Sequence, residues 1–554
     1  MTTPFQFDPR AAETEAMILE RATRLGDKTF LHYIPDGRKI SYCELDYWTR
    51  TVGNALTTHG IQTHDHVALL LDNCPELVIS VFSISRVGAV WVPVNTAARG
   101  KLLHYYLELA DVKAIVIQDS YVSALREVLP KLPLLRTVIV KGDAEAAARE
   151  LSGLANVHAF PKTHAHPEQL PQRVGAGVFS DLGCLLFTSG TTGPSKAVMM
   201  PRATFYFYGA HNAHYRDIRH TDIEYTCMPL FHANALLNSV MSVFTVGATI
   251  ALTDRYSTTR FWSEIRASGA TRFNTLGAIA NFLWQAPPSA QDREHQVRMC
   301  LVAPVPKFAR EFEQRFGLRI FTGYGLSDYC LATSSRLDDP ADKIFSCGRA
   351  RDGIDIRIVD DDDVEVPQGA VGEILLRNNH PWGASSGYYK MPEATVESRR
   401  NLWFHTGDRG YLDAEGYLCF ADRKKDALRR RGENISAFEV ESVVASHPAV
   451  LHCAVYGMRA ELPEDEVAVT IVVRPGMSVT NEELIAYCVA NMSYFMVPRF
   501  IHRMDELPMT PTGRVEKYKL RQLADADRSA FWDREAAGIR VEPPNRGRQQ
   551  ERVQ

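Results

Sequence analysis

The run Leu185-Leu-Phe-Thr-Ser-Gly-Thr-Thr-Gly-Pro-Ser-Lys196 constrains this chain more than any other stretch. It ends an apolar strand in a loop rich in glycine and hydroxyl residues, and it closes that loop with a lysine. Glycines let backbone N–H groups turn inward toward an anion, the Ser and Thr hydroxyls add donors, and the lysine adds a positive charge that can move. Together these make a phosphate cradle. It is not the P-loop, which needs four residues between its glycines followed by Gly-Lys-Ser/Thr.

The rest of the chain bounds what surrounds that cradle. At 554 residues it exceeds what one hydrophobic core supports, so more than one domain is expected. A net charge of −4 gives no electrostatic footprint for nucleic acid, and an anionic ligand must be held by local charge. The longest apolar run, around Leu77 to Ile84, is interrupted by serines and followed by Arg86, far short of a membrane span. The first residues lack the basic and apolar regions of a secretory signal. Ten scattered cysteines without a Cys-x-x-Cys pair argue against zinc and for reduced thiols in a cytoplasmic protein.

From Phe30 to Lys141, β-branched runs alternate with amphipathic stretches. Ser41 and Glu44 form a capping box opening a helix that stops at Gly60, and a strand follows at Val67. A helix from Pro75 to Val87 leads to a strand at Val90, and the cycle repeats at Ala114 and Val138. This spacing implies an α/β fold with a parallel sheet covered on both faces. The segment from Ala144 to Gln172 is read as an irregular connection. After the cradle the α/β rhythm resumes to about Gly323 and then becomes rich in glycine and strands. A charged stretch at Asp422–Asp426 precedes a compact α+β unit: a helix from about Ser436 to Ser446, strands near Val450–Tyr456 and Val467–Val473, and a helix capped by Thr480 with Glu483. The predicted organisation is a core of 1–421, a hinge at 422–426, a small domain of 427–535 and a disordered tail of 536–554.

The cradle resembles the signature loop of the adenylate-forming superfamily of acyl-CoA synthetases, adenylation domains and luciferases, and further stretches match the same superfamily in the same order. Gly323-Tyr-Gly-Leu-Ser-Asp328 resembles the Tyr-Gly-x-Thr-Glu motif. The resemblance implies that Tyr324, flanked by Gly323 and Gly325, lies against adenine, that Ser327 meets the α-phosphate and that Asp328 helps to hold Mg²⁺. Trp403-Phe-His-Thr-Gly-Asp408 resembles the element whose aspartate accepts the ribose hydroxyls. Asp422-Arg423 matches the second nucleotide contact and Lys425 the pivot. Met228-Pro-Leu-Phe-His232 resembles the loop with the histidine beside the acyl site. Ala303-Pro304 falls at the segment flanking adenine, with Val302 where the family has glycine.

The implied fold is a large α/β N-terminal domain of packed sheets with a β-rich part, plus a small mobile α+β C-terminal domain. The implied activity is that of an ATP- and Mg²⁺-dependent carboxylate–CoA ligase. Thr188, Ser189, Gly190, Thr191, Thr192, Gly193 and Lys196 would hold phosphate, while Arg431, Gly432, Glu433 and Asn434 would shape the CoA channel. Arg429, Arg430 and Arg431 are read either as contacts to CoA phosphates or as a solvated hairpin. The family's C-terminal catalytic lysine is replaced by Arg514, with Lys517 three residues on as the alternative. Asn234, Leu236, Leu237, Leu276, Gly277, Ile279 and Phe282 are expected around the acyl group, although the apolar spacing among them is also what a buried helix shows. Pro93-Val-Asn-Thr96 and Arg429–Ile435 resemble the crotonobetaine/carnitine–CoA ligase branch. The partners implied are a carboxylic acid, ATP and CoA, with room for a homodimer. Loading of a separate carrier protein, and a homologue that binds nucleotide without chemistry, remain open alternatives.

Overall fold

The computed structural model describes residues 5–162, 177–188, 195–306, 308–423, 427–430, 433–459, 465–508, 515 and 517–541. Two large sheets dominate. One has eight strands in the order Gly387–Tyr388, Lys196–Pro201, Leu182–Thr188, Val90–Pro93, His66–Leu70, Val112–Gln118, Thr137–Lys141 and Asn156–Ala159. The other has seven, in the order Arg319–Phe321, Met299–Ala303, Arg272–Leu276, Ile223–Thr226, Thr249–Leu252, Thr29–Tyr33 and Lys39–Ser41. Both are mainly parallel, as alternating strands and helices require.

Local chemistry sets the helices between them. Ser41 Oγ accepts from the Glu44 N–H at 3.2 Å, and the Ser41 N–H donates to Glu44 Oε2 at 2.7 Å, which opens Tyr42–Thr58 as the capping box predicts. The helix Pro75–Val87 starts on its proline and stops at Gly88, whose φ of +84° a residue with a Cβ rarely adopts. It is buried on every side, and its Ser80, Ser83 and Ser85 hydroxyls are satisfied by carbonyls one turn back in the same helix. The main core joins the two sheets through this helix and Arg202–Tyr215. Arg86 survives inside because Glu15 and Asp46 pair with it at 2.6 and 2.7 Å.

The segment read as irregular after Ala144 is in part regular. Asp143 caps the helix Ala144–Glu150 through the Ala146 N–H, and Asn156–Ala159 adds an edge strand beside Thr137–Lys141. Beyond Phe321 the chain builds a four-stranded antiparallel sheet, Ile354–Val359, Gly372–Asn378, Phe404–Leu412 and Leu418–Arg423. The small domain follows: a hairpin of Ala427–Arg430 with Glu433–Ser436, the helix Ala437–Ala445, and a sheet of Val450–Arg459, Asp465–Val473, Phe500–Arg503 and Trp532–Asp533. One apolar cluster runs from the eight-stranded sheet into this domain, through Leu185 and Ala197 on one side and Leu428, Ile435 and Val440 on the other. Ile539 and Val541 pack against that cluster, so order extends beyond residue 535.

Candidate active site

Four parallel strands of the seven-stranded sheet end in the segments that the motifs single out. Ile223–Thr226 leads into Met228–His232, Arg272–Leu276 into Gly277, Met299–Ala303 into Pro304, and Arg319–Phe321 into Gly323–Asp328. Ligands of open α/β sheets bind outside the carboxyl ends of their strands. Residues far apart in sequence thus reach one crevice by topology.

Thr188 and Lys196 stand opposite each other in antiparallel register, at the two ends of the loop expected to hold phosphate. Thr188 Oγ1 donates to Asp328 Oδ2 at 3.3 Å, tying the loop to the second motif. The Tyr388 hydroxyl donates to the same oxygen at 2.9 Å, and the Lys196 ammonium lies 4.2 Å from the centroid of the Tyr388 ring. Burial, with the Asp328 charge adding to it, raises the Tyr388 pKa, so the phenol stays a donor. Sequence reasoning missed Tyr388. Its signal was the preceding Gly387, at φ +126°, where a Cβ would meet the Thr395 side chain at 2.4 Å.

At the residues expected to meet the nucleoside, the buried Tyr324 hydroxyl donates to Asp408 Oδ2 at 2.7 Å. Asp408 follows Gly407, at φ +71°, and stands opposite Arg423 in register, so the two expected ribose contacts are neighbours. Both motif glycines meet close neighbours: a Cβ on Gly323 would lie 2.6 Å from the Thr333 carbonyl oxygen and one on Gly325 2.7 Å from Leu331 Cα. Phe420, large and exposed, sits 6.4 Å from Tyr324 between ring centroids.

A third group of contacts centres on His232, the residue expected beside the acyl group. Its Nε2 is 2.8 Å from Glu433 Oε2 of the small domain. Burial acts to lower the His232 pKa, but the Glu433 carboxylate outweighs it and the net shift is upward. Asn234 opens a π-helical segment, Asn234–Met241, and its Oδ1 accepts from Asn274 Nδ2 at 2.6 Å and Asn238 Nδ2 at 3.1 Å. Leu236 and Leu237, expected in the acyl pocket, belong instead to the main core. Phe282 stays half-buried beside Tyr256, and Gly277 is tight against the Pro304 carbonyl, 2.8 Å from where a Cβ would lie.

The small domain adds contacts of its own. Glu439 Oε1 accepts from the Ser195 N–H at 3.1 Å and from the Ser195 hydroxyl. Arg430 is buried, giving Nη1 to the Phe495 carbonyl at 3.0 Å and pairing with Glu466; it is neither a CoA phosphate contact nor solvated. Lys517 pairs with Glu441 at 2.7 Å within the small domain. Ser189, Gly190, Thr191, Thr192, Gly193, Lys425, Arg431, Gly432 and Arg514 lie outside the described residues.

Fold and site together define the class of adenylate-forming enzymes, in which one crevice serves nucleotide and acid. The chain belongs to the AMP-binding enzyme family: the model of that family matches residues 18–389, and that of the AMP-binding enzyme C-terminal domain matches 439–514. Among curated proteins it is similar to crotonobetaine/carnitine–CoA ligase of Salmonella enteritidis PT4, 30% identical over 506 residues that cover 90% of this chain and 96% of that protein. Among solved structures it resembles an amide bond synthetase of Marinactinospora thermotolerans, with a TM-score of 0.78, 22% identity and coverage of 92% and 99%. An o-succinylbenzoate CoA synthetase of Bacillus subtilis bound to a product analogue has a TM-score of 0.77, 22% identity and coverage of 91% and 98%.

Proposed function

We propose that the chain activates a carboxylic acid with ATP to an acyl-adenylate and passes the acyl group to the thiol of CoA, releasing pyrophosphate and AMP. It is an AMP-forming acyl-CoA synthetase. A carboxylate is a poor acyl donor because its leaving group would be oxide. Attack on the α-phosphorus replaces that leaving group with AMP, which a thiol can displace. Both steps concentrate negative charge, so they need fixed donors and cations more than a general base.

The observation that carries this reading is the pairing of Thr188 with Lys196 beside Asp328, in a site that also holds Asp408 on the Tyr324 hydroxyl. Lys196 would stabilise the leaving phosphates, Asp408 and Arg423 would fix the ribose, and Arg514 would bring positive charge to the reacting carboxylate. Asp328 and Thr188 offer oxygen donors alone, which suit Mg²⁺: it keeps several waters and takes one or two carboxylates alongside substrate phosphates. Among the described residues no group of three or more His, Cys, Asp or Glu could cage a metal. Asp328 and Thr188 would hold Mg²⁺, and the ion would supply neutralisation of phosphate charge. His232 and Asn234, both half-buried, would put polar groups beside the acyl group, with the buried Asn238 and Asn274 holding the Asn234 carboxamide from behind, which favours an acid with a polar group over a plain alkyl chain.

The test is pyrophosphate exchange into ATP across a panel of short polar, aromatic, alicyclic and steroid-derived acids. Exchange should require a cognate acid and not CoA, and AMP release should then depend on CoA. Exchange that strictly needs CoA, or none with any acid, overturns the reading.

A further inference from the structure

Ser195 closes the phosphate loop one residue before Lys196, and every polar group it has is engaged. Its carbonyl accepts from the Tyr105 hydroxyl at 2.8 Å, its hydroxyl lies 3.5 Å from that of Tyr106, and its N–H and O–H both go to the Glu439 carboxyl. Glu439 stands in the first turn of the helix Ala437–Ala445. It therefore reaches from the small domain to the foot of the loop, across 244 residues of sequence, and both partners are buried. A carboxyl oxygen and a phosphate oxygen ask for the same donors and repel each other.

We propose that Glu439 is the positioning residue that couples the small domain to the phosphate loop: seated as here, its carboxyl takes the Ser195 donors and withholds them from the phosphates of a nucleotide. The coupling rests on the reading of the loop as the holder of ATP phosphates. It divides the reaction. Adenylation needs the Ser195 donors released, and thioester formation runs with Glu439 seated and the His232–Glu433 contact made beside it.

Ionisation supplies a readout. Burial raises the Glu439 pKa, with the Ser195 N–H opposing, to about 8. A carboxyl freed into solvent returns to the ordinary acid range, so the seated arrangement holds a proton that the freed one releases. Seating is therefore fully favoured only below the ordinary carboxyl range, weakens as pH rises from there toward about 8, and levels off above that value. The neighbouring groups are Tyr105, pushed up to about 12 by burial with the Glu439 charge adding to it, Tyr106, raised further, and Glu433.

The experiment uses the full chain with Glu439→Gln, Glu439→Ala and Ser195→Ala, measuring pyrophosphate exchange and conversion of supplied acyl-adenylate to thioester from pH 6.5 to 9.5. Glu439→Gln keeps an acceptor that cannot ionise, so its thioester rate relative to wild type should climb about three- to tenfold between pH 6.5 and 8 and level off above; taking the ratio cancels ionisation of the CoA thiol. Glu439→Ala should lose about tenfold in thioester formation and keep exchange, whereas Ser195→Ala, which removes the hydroxyl donor that both steps use and keeps the N–H, should lose a few-fold in each. A ratio flat with pH, or equal loss of both activities in Glu439→Ala, overturns the coupling. Should Glu439→Ala melt well below wild type, the Glu439→Gln ratio decides. Wild-type exchange absent with every acid defeats the function reading instead, so the two failures are told apart.

Discussion

Tyr388 hydrogen-bonds Asp328 Oδ2 at 2.9 Å and gives the face of its ring to the Lys196 ammonium. One phenol thus sets the spacing between the Asp328 carboxylate, the proposed holder of Mg²⁺, and the Lys196 ammonium. The strand Gly387–Tyr388 pairs with Met199 and Val198 to hold it there. Tyr388→Phe removes the hydrogen bond and keeps the ring. The Mg²⁺ concentration for half-maximal pyrophosphate exchange should rise about three- to tenfold with little change in the saturated rate. Tyr388→Leu removes the cation–π contact as well and should raise KM for ATP further. Mn²⁺ titration of each variant with ATP, followed by electron paramagnetic resonance, reads metal binding apart from turnover. Unchanged metal affinity in both variants would assign Tyr388 to packing alone.

The Tyr324–Asp408 bond joins two motifs 84 residues apart. A hydrogen bond to a buried carboxylate contributes about 1.5–3 kcal/mol. Tyr324→Phe should therefore raise KM for ATP roughly tenfold, and Asp408→Ala by more, with smaller effects on KM for CoA. Initial-rate kinetics with each substrate varied in turn separates the two. Equal shifts for ATP and CoA would place the pair outside the nucleoside site.

The His232–Glu433 contact carries a pH dependence of its own. The Glu433 carboxylate raises the His232 pKa above its ordinary value, so the contribution of the ion pair is complete below about 6.5, the usual His value. It is lost as pH rises through the raised value. The pair spans the two domains, and the His232 side chain is 38% exposed, so its effect should appear in docking more than in global stability. Glu433→Gln should bring the His232 titration, followed by NMR, back toward its ordinary value and flatten the thioester profile between pH 6 and 8. A His232 pKa unmoved in Glu433→Gln would remove this account.

The elements set by local chemistry were legible in sequence: the Ser41–Glu44 box, the Pro75 start with its Gly88 stop, and the Thr480–Glu483 box all form as read. The cradle, Met228–His232, Ala303–Pro304 and Gly323–Asp328 each lie at the end of a strand, whereas Trp403–Asp408 runs into one. What escaped was decided by tertiary structure. Leu236 and Leu237 carry an apolar pattern that a cavity wall and a packed core share, and the core claimed them. Arg430 reads as surface charge until Glu466 meets it from another strand. The strand Asn156–Ala159 hides in an Ala- and His-rich stretch because it is a half-exposed edge paired on one side. Glu439 lies in a helix whose sequence says nothing of Ser195, 244 residues away.

The cation for adenylation is the last question the geometry bears on. Lys517 was the alternative to Arg514, yet its ammonium pairs with Glu441, whose Oε1 also accepts from the Val455 N–H at 2.7 Å. Lys517 thus ties the start of the helix Lys517–Ala526 to the helix Ala437–Ala445, inside the small domain, and using it at the α-phosphate would cost that bond. Both side chains are 21% exposed, so the pair is worth about 1 kcal/mol or less. Lys517→Ala should lower the melting temperature slightly and leave acid-dependent pyrophosphate exchange within about threefold of wild type. Arg514→Ala should lose exchange by roughly 100-fold or more and largely keep conversion of supplied acyl-adenylate to thioester, because a group that acts on the phosphorus centre has no part in displacing AMP. Arg514→Lys restores the family's residue with a compact ammonium and should recover much of the exchange. If Lys517→Ala alone loses exchange while keeping thioester formation, the Glu441 pair opens during adenylation and Lys517 is the cation.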